Sequence, residues 1–85
     1  MDKKRIMELR GKAQALDATV HVGKDGITQS IVDEVIRQLK KNKLVKVRLL
    51  PSLEIDREAA AEQLAKASSS ALVEVRGRTV VLSRD

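Results

Sequence analysis

Residues 18–41 read A-T-V-H-V-G-K-D-G-I-T-Q-S-I-V-D-E-V-I-R-Q-L-K-K, and two hydrophobic periods meet inside them. Over residues 18–22 apolar and polar positions alternate and β-branched residues dominate, which predicts a short strand. From Thr28 onward Ile31, Val32, Val35, Ile36 and Leu39 recur at helical spacing, which predicts a helix over 28–41. The Thr28 hydroxyl suits an N-cap, because it can accept from an unpaired N–H of the first turn. Lys40 and Lys41 suit the carbonyl end of the dipole, and Asn42 suits a left-handed stop. Between strand and helix lie Gly23, Lys24, Asp25 and Gly26, which hold two of the four glycines of the chain.

The same reading extends outward in both directions. Ile6, Leu9, Ala13 and Leu16 form one stripe of an amphipathic helix over 3–16. Gly11 sits inside it at a cost of about 1 kcal/mol relative to Ala, and close approach of another backbone would account for it. Residues 44–49, L-V-K-V-R-L, alternate as a strand that sets Val45, Val47 and Leu49 against Lys46 and Arg48. Pro51 ends it. Asp56 caps a third helix through Ala59, Ala60, Leu64 and Ala67, fraying into Ser68, Ser69 and Ser70. Residues 72–83, L-V-E-V-R-G-R-T-V-V-L-S, read as two strands joined by a tight turn at Gly77. The order is α-β-α-β-α-β-β. Helix-linked strands imply some parallel pairing, and the last two form a hairpin. The expected fold class is α/β, a four-stranded mixed sheet with three helices, in one domain over residues 1–85.

Composition narrows the function classes. Hydrophobic residues are 42% of the chain and none is aromatic, so aliphatic side chains alone must fill a thin core. The net charge is +5, and the whole surplus lies before residue 55. A basic surplus favours a polyanionic partner. With no cysteine, disulfides and thiolate-held zinc are excluded. The charged N-terminus lacks an apolar core for a signal peptide, and no apolar run approaches the roughly 18 residues of a membrane span. A cytoplasmic protein with no membrane partner is expected.

The glycine loop carries the chemistry. Glycine accepts positive φ and lets another backbone come close. The helix that follows aims free N–H groups at the same place, and Lys24 adds a full charge. The spacing G-x-x-G matches the backbone clamp of KH-type RNA modules. It is neither a P-loop nor a dinucleotide fingerprint. Asp25 is a poor neighbour for a phosphate.

Three stretches carry a broader likeness. Residues 9–28 (L-R-G-K-A-Q-A-L-D-A-T-V-H-V-G-K-D-G-I-T), 36–49 (I-R-Q-L-K-K-N-K-L-V-K-V-R-L) and 73–84 (V-E-V-R-G-R-T-V-V-L-S-R) resemble the CRM domain family, named for chloroplast RNA splicing and ribosome maturation. The resemblance implies a fold like the C-terminal domain of translation initiation factor three, and RNA binding through the glycine loop. Stand-alone bacterial and archaeal members are associated with precursors of the large ribosomal subunit, plant members with intron splicing. A short chain fits the first group. By position the resemblance assigns RNA contact to Gly23, Lys24, Asp25, Gly26 and Thr28, to Lys46 and Arg48, and to Arg78 and Arg84. Residues 41–43 read K-N-K where the family often has His and Glu, and Ser83 stands where an aromatic is often found.

The remaining candidates come from charge. Arg10, Lys12, Lys40 and Lys43 extend the basic surface, whereas Arg57 and Lys66 lie among Asp56, Glu58 and Glu62, which places the third helix away from RNA. His21, alone on its strand, reads as structural. No carboxylates are paired for acid–base work or a metal, so neither catalysis, cofactor nor small-molecule substrate is expected. Without aromatics the chain cannot stack bases, and recognition must rest on phosphates, sugar hydroxyls and arginine planes. The expectation is a monomeric RNA-binding protein acting on ribosomal RNA of large-subunit precursors. Two rivals are a small basic DNA-coating protein and a protein-binding adaptor.

Overall fold

A computed structural model of the protein describes residues 2–84. Its elements are α1 (Lys3–Gln14), β1 (Val20–Val22), α2 (Gln29–Asn42), β2 (Leu44–Leu49), α3 (Arg57–Ala67), β3 (Ala71–Arg76) and β4 (Thr79–Ser83). The expected α/β order is therefore present. The sheet runs β1-β2-β4-β3, with β1 and β2 parallel and the other pairs antiparallel.

Alternation along the strands decides what covers each face. Val20, Val22, Val45, Val47, Leu49, Val80 and Leu82 point to one side, where they meet Val35 and Leu39 of α2 and Ala60, Ala61 and Leu64 of α3. On the other side Leu44, Val73 and Val81 meet Leu9 and Ala13 of α1. The central strand β4 is thus apolar on both faces, with Val80, Val81 and Leu82 all buried. Small alanines let α3 sit close to the sheet, which suits a core without rings. A bulge between Leu72 and Glu74 returns Glu74 and Arg76 to register with β4.

Helix ends follow their capping chemistry. Thr28 Oγ1 accepts from the Ile31 N–H at 3.3 Å, as expected. Asp2 and Asp56 cap α1 and α3 in the same way, from Arg5 N and Ala59 N. Several details differ from the sequence reading. The α1 helix stops at Gln14, leaving Leu16 exposed rather than continuing the buried stripe. The left-handed stop of α2 is Lys43, at φ 63°, and not Asn42. Nor do the serines after α3 fray. Ser68 is buried, its hydroxyl donates to Leu64 O at 2.6 Å, and it bonds Ser70 at 2.8 Å.

Gly11 is a further correction. It lies on the outward side of α1, and a Cβ built there meets nothing within 4 Å. No neighbouring backbone requires it. Gly11→Ala should then raise the unfolding free energy by about 1 kcal/mol, since only helix propensity changes. In an 85-residue domain that is roughly 4–8 °C in Tm; an unchanged or lower Tm by calorimetry would contradict it.

Candidate nucleic-acid interface

The two glycines of the loop answer to different needs. Gly23 N-terminal to the turn is crowded: its added Cβ would lie 3.1 Å from Ser52 Oγ and 3.2 Å from Leu50 Cδ1. Gly26 is open but takes φ +72°, a left-handed conformation that glycine adopts without strain. The Gly26 N–H donates to Gly23 O at 2.9 Å, closing a turn with exposed Lys24 and Asp25 at its tip. Asp25 therefore shares the tip with the lysine. Thr28 opens α2 directly behind, and no acidic residue occupies the first turn of that helix. Its partial positive charge is not cancelled from within.

The loop leaves the sheet at the end where β1 and β2 finish. Leu50 N–H donates to Val22 O at 2.8 Å and Leu49 N–H to Arg78 O at 2.7 Å, so the glycine loop, the 50–52 turn and the β3–β4 hairpin share that end. Gly77, at φ 57°, makes the two-residue hairpin turn possible, and Arg57 Nη1 braces it by donating to Gly77 O at 3.2 Å. The start of α3 thus abuts this end. Lys66 and Gln63 also share a groove with Thr28 and Gln29, so part of α3 lies beside the start of α2.

Strand register adds a feature that sequence reading missed. His21 pairs with Arg48, Arg48 with Thr79, and Thr79 with Arg76, so one residue from each strand forms a row across the sheet. This row lies next to the glycine-loop end, on the face that carries α1, and its His and both Arg residues are exposed. No carboxylate among the described residues pairs with Arg48, Arg76, Arg78 or Lys24. Lys24, Arg48, Arg78 and Arg76 therefore spread along this end of the sheet, from the loop after β1 to the opposite edge strand β3, without a carboxylate partner among the described residues.

The other predicted residues lie elsewhere. Lys46 shares the face of Arg48, but its Nζ donates to Ala13 O at 3.3 Å and Leu16 O at 3.1 Å, holding the carbonyl end of α1. Arg10 pairs with Glu74 at 3.6 Å. Lys12, Lys40, Lys43 and Arg84 gather at the opposite end of the sheet, where Arg84 N–H donates to Lys43 O at 3.0 Å and Arg84 Nη1 to Lys40 O at 3.2 Å. On the outer face of α2, Arg37 hydrogen-bonds Glu34 and, with help from Gln38, holds that carboxyl below its usual range. That pair neutralises itself. No group of three or more His, Cys, Asp or Glu among the described residues could hold a metal, and no helix there is long and apolar enough to cross a membrane.

Residues 1–84 match the family model of the CRS1/YhbY (CRM) domain. The chain is 36% identical over 77 residues to "Probable RNA-binding protein YqeI" of Bacillus subtilis, covering 91% of this chain and 80% of that protein. It is 41% identical over 78 residues to "Probable RNA-binding protein MJ0652" of Methanocaldococcus jannaschii, covering 89% of this chain and 58% of the relative. The solution structure of the hypothetical protein SAV1595 from Staphylococcus aureus superposes with a TM-score of 0.85 at 30% identity, over 100% of this chain and 88% of the other. A family match over residues 1–84 makes this chain a member of the CRS1/YhbY (CRM) domain family.

Proposed function

We infer that residues 1–85 act as one RNA-binding module, without chemistry of their own, by gripping the sugar–phosphate backbone at the glycine-loop end of the sheet. The observation that carries this is the coincidence, at one end, of a bare turn, an uncancelled helix N-terminus and a row of unpaired cations. Gly23, Lys24, Gly26 and Thr28 would hold one phosphate segment, with Arg48, Arg76, Arg78 and His21 alongside. Two relatives carry RNA-binding names, which supports RNA over DNA. Because the chain has no Phe, Tyr or Trp, the ligand is read mainly by shape, with the His21 ring and the arginine planes as its stacking surfaces. The likeness to stand-alone members points to ribosomal RNA of large-subunit precursors as the target, met in the cytoplasm.

The test is a salt titration. If about five phosphates are neutralised, log affinity against log salt should slope by about −3.5 to −4.5. A slope near zero at measurable affinity would remove the electrostatic grip. Competition with duplex DNA of equal length decides the polymer: preference for DNA would favour a chromatin coat. Co-sedimentation with large-subunit precursors in a lysate, lost after ribonuclease treatment, checks the target.

A further inference from the structure

The basic residues at the far end of the sheet form a second cluster with its own construction. Lys43 closes α2 in the left-handed conformation, φ 63°, at a position where glycine is the favoured residue. A lysine there departs from the most stable choice, and a strained residue on an exposed surface invites a functional reason. The carbonyls of Lys43 and Lys40 both accept from Arg84, which fixes the strand end and its guanidinium against the end of α2. Lys12 of α1 lines the same groove as Lys43 and Leu44. No carboxylate among the described residues pairs with Lys12, Lys40, Lys43 or Arg84. The carbonyl end of α2 adds partial negative charge here, and the lysines outweigh it.

Distance sets this cluster apart from the loop. From Lys43 to Leu50 the chain advances seven residues, mostly as β2, which is about 23 Å at roughly 3.3 Å per residue. A G-x-x-G clamp engages about four backbone nucleotides. At the roughly 3.4 Å of axis per nucleotide of a B-form strand, bridging both ends takes about seven more, and the more compact A-form of RNA needs at least that many. We propose that Lys12, Lys40, Lys43 and Arg84 form a second phosphate-binding patch for the same RNA, so that the ligand is a helical or folded RNA long enough to reach both ends of the sheet. This rests on the glycine-loop reading and extends it to the class of RNA bound.

A 12-base-pair RNA hairpin titrated into the full chain tests the proposal, with amide NMR and affinity as readouts. Amides of Gly23–Ile27 and of Lys43, Leu44 and Lys12 should all shift. In Lys40→Gln/Lys43→Gly the hairpin affinity should fall at least tenfold and the salt slope shallow by about 2, as expected for two lost phosphate contacts. The single variant Lys43→Gly should meanwhile hold or raise Tm by about 4 °C, which separates binding from folding. Unchanged affinity and slope in the double variant, or shifts confined to the loop, would overturn the second patch. If Gly26→Asp weakens the hairpin while the double variant does not, the loop reading stands and only this extension falls. If the wild-type chain binds no hairpin, both fall together.

Discussion

Gly26→Asp should weaken RNA binding at least tenfold while the domain stays folded. The structure separates this substitution from its neighbour. A side chain at Gly26 has open space, and its penalty is the left-handed backbone, about 1 kcal/mol. Asp tolerates that conformation better than most residues, and a stability of several kcal/mol absorbs the loss. The new carboxylate, however, stands where a phosphate would sit. A tenfold loss is about 1.4 kcal/mol, a modest demand on a repelled charge in a partly desolvated contact. Gly23→Asp is a poorer test, since its Cβ would press on Ser52 Oγ and Leu50 Cδ1, so the turn must move. It should cost stability as well as affinity. Gly26→Asn keeps the backbone demand without the charge, and its affinity should fall between wild type and Gly26→Asp. Equal binding by all three in a filter assay, with unchanged circular dichroism, would show that RNA does not use this turn.

Which features could be read in advance follows from their range. Periods of 2 and 3.6 are local, and they gave β2 at residues 44–49, the hairpin about Gly77 and the Thr28 cap. The existence of two apolar sides on β4 was also visible in Thr79–Ser83, though not which helix would cover each. That choice is tertiary. It places α1 alone on one face, leaving the end of that face uncovered, and so makes a surface of His21, Arg48, Thr79 and Arg76. Arg76 was within reach, because Val73–Arg76 alternates, but its place beside Arg48 depends on the pairing of β4 with both neighbours. Lys46 shows the converse. By alternation it equals Arg48, yet the end of α1 lands on it and takes up its ammonium. Likewise Lys43 resembles any lysine until its φ is known. Charge content was legible in the sequence, but which charges remain unspent was not.

The largest loss is expected when the row itself is neutralised. Each phosphate contact contributes about 0.9 to the slope of log affinity against log salt, so two contacts amount to a factor of roughly 60 between 1 M and 0.1 M salt. Arg48→Gln/Arg76→Gln should accordingly bind structured RNA about 60-fold more weakly at 0.1 M salt, with a slope shallower by about 1.8. Stability should barely change, because both side chains are exposed and unpaired and surface charges of this kind contribute little. Lys46→Met is the matched control on the same face. It removes two hydrogen bonds to the carbonyls of Ala13 and Leu16, each charge-assisted but partly exposed, and should cost about 1–2 kcal/mol of stability. Its RNA affinity should stay within threefold of wild type. The two variants thus predict opposite patterns from neighbouring positions of one strand: binding lost with the fold intact, and the fold weakened with binding intact. If Lys46→Met instead loses affinity as steeply as the arginine pair, the backbone of the RNA runs further under α1 than the exposed row. If the arginine pair binds within threefold of wild type at 0.1 M salt, the grip lies on the α2–α3 side of the loop, where Thr28, Gln63 and Lys66 meet.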